Sequence, residues 1–237
     1  MKLENIKTRI FADGASISDI LDLNKLPHIS GFTTNPTLMK KAGVEDYTAF
    51  AKEVLSHIKD KPVSFEVFAD DFDEMYSQAM LINGWAENVY VKIPVMNTKK
   101  QHSYQLIQRL SNEGVKLNVT AVFTLEQVQQ IKEALMNSKG AVVSIFAGRI
   151  ADTGVDPMPI MIQAKKMLKD NPNVELLWAS PRELLNIIQA NEVGCDIITA
   201  TPDVLKKLSS LEKDLEQFSH ETVEMFYNDA CSAGFSL

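Results

Sequence analysis

Two cysteines and four histidines are all that this 237-residue chain offers to disulfides or soft metals. Cys195 and Cys231 are far apart in the chain and fall into no metal-ligand spacing. Cys195 stands in the apolar run Val193-Gly194-Cys195-Asp196-Ile197-Ile198, which reads as a strand holding a buried structural thiol. His28, His57, His102 and His220 are scattered, and no strand end carries two of them, which disfavours metal-dependent chemistry. Positive charge is also short. With 24 Lys and Arg against 31 Asp and Glu the net charge is −7, which argues against non-specific binding to nucleic acid or to an anionic membrane. No apolar run approaches the length that spans a bilayer, and Met1 to Ile6 has no signal-like apolar core. The default location is therefore cytoplasmic. No linker, low-complexity tract or long charge run divides the sequence, so residues 1–237 are read as one domain.

What the chain does have is a lysine in an unusual place. Asn88-Val89-Tyr90-Val91-Lys92-Ile93-Pro94-Val95 is a β-branched run interrupted by one ammonium. Burial of an unpaired charge is costly and favours the neutral amine, which is a nucleophile whose natural partner is a carbonyl, through a Schiff base. The simpler alternative is a strand-end lysine with its stem buried and its head in water.

Short β-branched or aromatic runs alternate with longer amphipathic segments throughout. The expected strands are Thr8–Asp13, Gly31–Thr34, Val63–Phe68, Val89–Val95, Val115–Thr120, Ala141–Phe146, Val174–Ala179 and Cys195–Thr199. Between them, Asp46–Ile58 and Phe72–Trp85 have helical spacing, and Thr124 with Gln127 forms a capping-box pattern. Ser180 and Thr201 are candidate helix caps, each followed by a proline suited to the first helical position. Eight strand–helix units imply parallel strands and right-handed crossovers, which in this length close naturally into a (β/α)8, or TIM, barrel. An open doubly wound sheet is the alternative, but no glycine-rich phosphate loop follows the first strand. Residues 211–233 form an extra C-terminal helix, available as a lid or an oligomer contact.

In such a barrel, chemistry gathers at the carboxyl ends of the strands. The unusual polar residues fall there. Asp13 ends the first strand, Asn35 follows the second, Glu66 lies in the third and Lys92 in the fourth. Asn118 and Thr120 lie in the fifth, Ser144 in the sixth with Arg149 just beyond, and Ser180 and Arg182 after the seventh. Residues two apart share a strand face, so Asn118 pairs with Thr120 and Ser144 with Phe146. Each residue alone has a duller role: Asp13 before Gly14 as a turn former, Asn35-Pro36 as a helix start, Ser180 and Thr120 as caps, Glu66 as a partner of a surface lysine. Their convergence on one rim is what points to a site.

Five segments carry a family likeness: Thr33-Thr34-Asn35-Pro36-Thr37-Leu38, Val91-Lys92-Ile93-Pro94, Asn118-Val119-Thr120, Phe146-Ala147-Gly148-Arg149 and Ala179-Ser180-Pro181-Arg182. In order and spacing the chain resembles the transaldolases, and within them the short-subunit branch that includes the fructose 6-phosphate aldolases. The likeness runs from about Arg9 to the final helix. It implies a class I, Schiff-base reaction on sugar phosphates, in the pentose phosphate pathway, with neither metal nor organic cofactor. Lys92 would attack the C2 carbonyl of a ketose phosphate. Asp13 would take the C4 hydroxyl proton as C3–C4 breaks, and Glu66 would shuttle protons through a water held by Thr120. Asn35, Asn118 and Ser144 would orient the three-carbon fragment, while Arg149, Ser180 and Arg182 would bind phosphate. Two carboxylates with two roles need different surroundings.

The same likeness separates transfer from simple cleavage. Transaldolases carry Glu where this chain has Glu66, and Phe where it has Phe146; the aldolases carry Gln and Tyr. Both residues are of the transferase type. The expected reaction moves dihydroxyacetone from sedoheptulose 7-phosphate to glyceraldehyde 3-phosphate, giving erythrose 4-phosphate and fructose 6-phosphate. Aldolase-type release of free dihydroxyacetone is the alternative, as is action on a related modified ketose. Phe11-Ala12-Asp13-Gly14-Ala15 departs from the Leu-Asp-Thr-Ala common in the short branch, and Asp152 to Pro157 and Trp178 to Pro181 mark a distinct subgroup. A barrel that has lost its chemistry is a reading from another class, but every residue the mechanism needs is present. Relatives of the short branch often assemble through the C-terminal helix, so a homo-oligomer is expected, with Phe218, Val223, Met225 and Phe226 as its apolar face. The alternative is that this face packs over its own barrel.

Overall fold

A computed structural model describes residues 2–235. Eight parallel strands close on themselves in chain order: β1 (Arg9–Asp13), β2 (Ile29–Thr33), β3 (Val63–Glu66), β4 (Val89–Pro94), β5 (Leu117–Val122), β6 (Ala141–Ile145), β7 (Val174–Trp178) and β8 (Ile197–Ala200). β8 returns to pair with β1, so no edge is left open. This is a (β/α)8 barrel, and the expected fold class holds.

The connecting helices are α1 (Ile17–Asn24), α2 (Pro36–Lys41), α3 (Tyr47–His57), α4 (Phe72–Asn83), α5 (Tyr104–Asn112), α6 (Leu125–Ala134), α7 (Ala147–Ala151), α8 (Met158–Leu168), α9 (Leu185–Glu192) and α10 (Pro202–Lys206). Their starts follow from local chemistry. Ser16, Asn35, Asp46, Asp71 and Thr124 each turn a side-chain oxygen onto a backbone N–H of the first turn, satisfying donors that the helix itself cannot. The Thr124–Gln127 capping box is formed in full. Ser180 is no cap: α9 begins only at Leu185, and Asn186 Oδ1 accepts from the Arg182 and Glu183 amides instead. Thr201 does precede α10, with Pro202 at its first position, but makes no side-chain cap bond.

Two apolar layers hold the barrel. Outside, Val63, Phe65, Val91, Ile93, Val119, Val143 and Leu176 pack against buried helix residues such as Ile107, Val128 and Met161. Inside, Phe11, Val142, Leu177, Ala179 and Ile197 fill the lumen, with Tyr90 and Phe146 packed against them. Phe11 sets one local requirement. A Cβ on Gly31 would stand 2.6 Å from the Phe11 ring, so the neighbouring strand must carry glycine there.

The strand limits differ from expectation in instructive ways. β5 runs on to Val122 through a slip in its register with β6 between Val119 and Val122, and Ala121 takes a left-handed φ of 59°. A bulge of this kind re-aims side chains at a barrel rim. β3 ends at Glu66, and β8 begins after Cys195, which is buried as expected. After α10 the chain makes a 3-10 turn (Lys207–Ser210), and Asp214 caps α11 (Leu215–Ser232). This last helix therefore starts later than 211. It also contributes no buried residue, so its apolar face does not pack over its own barrel.

Candidate active site

The carboxyl ends of the strands surround a cavity of about 440 Å³. Asp13, Asn35, Glu66, Lys92, Asn118, Thr120, Ser144, Phe146, Arg149, Ser180 and Arg182 all line it. The structure thus brings together every residue singled out in the sequence. Strand alternation is the cause: each of these side chains on a strand occupies the inward face near the strand's end.

Lys92 lies at the centre and is only 6% exposed. Its Nζ donates to the Thr34 carbonyl at 2.8 Å and lies 3.1 Å from Glu66 Oε2. The strand register explains the second contact, because Lys92 pairs directly with Glu66 across β3 and β4. The buried ammonium is thus partnered, where the sequence alone suggested a bare amine. The carboxylate that holds it is also within reach to accept its proton. Glu66 touches the ammonium directly, and Thr120 also lines the cavity.

Asp13 has different surroundings. Thr33 donates its hydroxyl to Asp13 Oδ1 at 2.8 Å, and Thr199 Oγ1 lies 2.5 Å from Thr33 Oγ1, which completes a Thr199–Thr33–Asp13 chain across β8, β2 and β1. Asn35 Nδ2 approaches Asp13 Oδ2 at 3.4 Å while its own Oδ1 caps α2 through Leu38 N–H. Burial pushes the Asp13 carboxyl above its usual range and Glu66 adds to this, against the opposing pull of Lys92, Thr33 and Asn35. A carboxyl raised in this way is a better general base near neutral pH.

On the far wall Ser144 donates to Asn118 Oδ1 at 2.7 Å, and Asn118 Nδ2 donates to Ser64 Oγ at 3.1 Å. Asn118 is therefore locked in one orientation. Phe146 presents its ring beside Phe123, with centroids 5.8 Å apart, and the Arg149 guanidinium sits 5.7 Å from the Phe146 centroid. Arg182 is tied to Asp152 by a two-pronged contact, Nε to Oδ1 at 3.0 Å and a second bond from its terminal nitrogen to Oδ2. That pairing holds the Asp152 carboxyl below its usual range. Ser180 has a left-handed φ of 61°. Its carbonyl would lie 1.6 Å from a Cβ on Gly148, so only glycine fits the start of α7.

Thr33, Thr199, Ser64 and Asp152 were not singled out as site residues. The signal that would find them is strand alternation for the first three, since each lies on an inward face. Asp152 follows Arg149 at helical spacing, and nothing in the sequence alone ties it to Arg182. Among the described residues no three His, Cys, Asp or Glu side chains converge as metal ligands. No helix among them is long and apolar enough to cross a membrane.

Comparison with known proteins agrees with this geometry. Residues 10–236 match the family model described as transaldolase/fructose-6-phosphate aldolase. A "Probable transaldolase" from Dehalococcoides mccartyi is 36% identical over 201 residues, covering 84% of this chain and 89% of that protein. "Probable transaldolase 2" from Listeria monocytogenes is 36% identical over 217 residues, covering 89% and 94%. Among solved structures, 3-hexulose-6-phosphate synthase from Salmonella typhimurium superposes with a TM-score of 0.55 at 15% identity, covering 82% of this chain and 89% of that one. Dihydrodipicolinate synthase from Rhodopseudomonas palustris superposes with a TM-score of 0.53 at 17% identity, covering 93% and 80%. At those identities the structural likeness speaks for the barrel alone. The fold is a closed (β/α)8 barrel with a buried, carboxylate-paired lysine at its mouth. The chain belongs to the transaldolase/fructose-6-phosphate aldolase family.

Asp13 gives a stability test. A carboxyl held above its ordinary value of 3.8 stays protonated in the folded chain at pH values where the unfolded chain has released its proton. The native state then binds more protons, and stability falls as pH rises through that window. Asp13→Asn removes the penalty, so its Tm should exceed that of the wild type near neutral pH, by about 2–4 °C per kcal/mol recovered. The gap should close as the pH approaches the ordinary carboxyl range. A variant melting below the wild type at neutral pH would show that burial is not the dominant influence on Asp13.

Proposed function

We propose that the protein is a transaldolase, moving a dihydroxyacetone unit from a ketose phosphate to an aldose phosphate through a Schiff base on Lys92. The observation that carries this reading is the placement of Lys92 Nζ 3.1 Å from Glu66, with Asp13 lining the same cavity. A lysine that must lose a proton, attack a carbonyl and expel water needs an acid–base group in contact, and Glu66 is that group. The amine adds to C2 of the ketose, Glu66 takes the ammonium proton and returns it to the departing C2 hydroxyl, and water leaves the carbinolamine as the iminium forms. Asp13 then accepts the C4 hydroxyl proton while the C3–C4 electron pair collapses into the iminium, which leaves an enamine and a free aldehyde. The acceptor aldehyde is attacked by the enamine carbon and recovers a proton from Asp13, and water releases the new ketose.

Asn118, held by Ser64 and Ser144, orients the hydroxyls of the three-carbon fragment, with Asn35 opposite it. Arg149, Ser180 and Arg182 form the anionic end, where guanidinium forks suit phosphate. Phe146 supports transfer over simple cleavage: an apolar ring supplies no proton to the enamine, so the fragment survives until an acceptor arrives. Sedoheptulose 7-phosphate and glyceraldehyde 3-phosphate are the proposed pair, in the pentose phosphate pathway.

Borohydride reduction in the presence of fructose 6-phosphate should leave a three-carbon adduct on Lys92, located by intact mass and peptide mapping. A folded protein that gives no adduct with fructose 6-phosphate or sedoheptulose 7-phosphate would refute the proposed substrates. The role of Phe146 is tested by Phe146→Tyr, which should raise release of free dihydroxyacetone at least several-fold; an unchanged release rate would remove this residue from the transferase argument.

We also propose that copies of the chain associate through α11. Leu215, Phe218, Val223, Met225, Phe226 and Tyr227 are all exposed there, and a clustered apolar surface of this kind marks interaction sites. Light scattering should give a multiple of the 26.5 kDa chain mass. Val223→Asp with Phe226→Asp should reduce it to the monomer. A monomeric wild type, or an oligomer indifferent to both charges, would contradict this.

A further inference from the structure

Tyr47 opens α3, outside the barrel wall, yet its hydroxyl reaches the strand that carries Glu66. It donates to the Glu66 carbonyl at 3.0 Å and accepts from the Glu66 amide at 2.8 Å. The reason lies in the register. β2 and β3 pair only through Phe32–Val63 and Thr33–Ser64. Beyond that point the Thr34 amide still reaches the Ser64 carbonyl, and then the two strands part. The Glu66 backbone would face the gap unpaired, and the phenol takes the place of the missing strand. The Thr34 hydroxyl donates to the Ser64 carbonyl at 3.0 Å, on the same side of the parting.

Those two residues, Thr34 and Glu66, supply the two contacts of Lys92 Nζ. We infer that Tyr47 is a positioning residue for the lysine chemistry: one phenol, inserted where β2 and β3 separate, holds the Glu66 backbone, and with it the carboxylate partner of the Lys92 ammonium, in place. The ring is fixed in turn by edge contacts with Phe68, Phe65 and Trp85, with centroids 4.4, 6.1 and 5.7 Å away. Burial pushes the phenol upward, so it stays protonated and remains a donor across the working pH range. A proton relay therefore receives a fixed geometry from a group that does not itself titrate.

This inference rests on the Schiff-base reading of Lys92, and the test separates the two. Tyr47→Phe keeps the ring and removes the hydroxyl; 4-aminophenylalanine at position 47 restores a donor. The readouts are the rate of borohydride trapping on Lys92 with fructose 6-phosphate across pH, and KM for the same ketose. Tyr47→Phe should trap roughly tenfold more slowly, about 1.4 kcal/mol in the barrier. Its KM should stay within about twofold, because the phosphate and hydroxyl contacts are untouched. The acid limb of the rate profile should move, and the amino variant should recover a large part of the rate. Phe68→Leu, which loosens the same aromatic cluster but leaves the phenol, should keep the wild-type pH profile. Folded Tyr47→Phe trapping at the wild-type rate with an unshifted limb would overturn the inference while leaving the Lys92 reading intact. Absence of any adduct in the wild type would remove both. Should Tyr47→Phe not fold, 4-fluorophenylalanine at position 47, which fills the space of the hydroxyl without donating, decides: slower trapping with a moved limb supports the role, and wild-type behaviour overturns it.

Discussion

The site depends on one buried ion pair. An ammonium at the depth of Lys92 is tolerable only with a partner, and removing the partner of a buried charge typically costs about 3–5 kcal/mol. Glu66 supplies that partner from the adjacent strand at the same register level. The arrangement contributes little net stability, since desolvation of both groups offsets much of their attraction. In the proposed reaction it provides a nucleophile already in contact with the group that would take its proton. Placing it inside a barrel rather than on a loop keeps water scarce and the geometry rigid.

Around that pair the hydrogen bonds run across strands, not along them. Thr199, Thr33 and Asp13 join β8, β2 and β1, while Ser64, Asn118 and Ser144 join β3, β5 and β6. Each of these side chains is held by a neighbour on another strand, which offsets the penalty of burial and fixes one rotamer at the same time. The barrel floor uses the same device in Arg9 and Glu175, paired across β1 and β7. Between rim and floor lies the apolar plug of Phe11, Leu177 and Ile197, so the lumen is a packed core with a reactive upper surface.

The rim residues were legible in the sequence because period-two alternation and strand-end position are local properties. Asp13, Lys92, Asn118 and Ser144 needed only the strands to be recognised and the barrel to close. The residues that were missed owe their importance to distance in the chain. Thr199 meets Thr33 only through closure of the barrel, and Tyr47 meets Glu66 only because α3 packs over the parting of β2 and β3. Asp152 was noted only as the start of a distinctive segment, although it holds Arg182. Ser180 was also a candidate cap, since Ser-Pro is a common helix start; a left-handed backbone and the Gly148 contact decide its conformation instead. The position of the C-terminal helix was legible to within a few residues, and its packing was not, because an apolar stripe does not say what covers it.

The interlock between Gly148 and Ser180 has a consequence for how such a barrel can diversify. The loops after β6 and β7 carry Arg149 and Arg182, and the carbonyl of one loop sits where any side chain on the other would begin. The Arg182–Asp152 bridge ties them a second time. These two loops therefore form a single heritable module. Recombination or grafting that exchanged one without the other would meet a steric clash before any new ligand could be tried, whereas exchange of both together would carry the two arginines and their bridge intact onto another barrel.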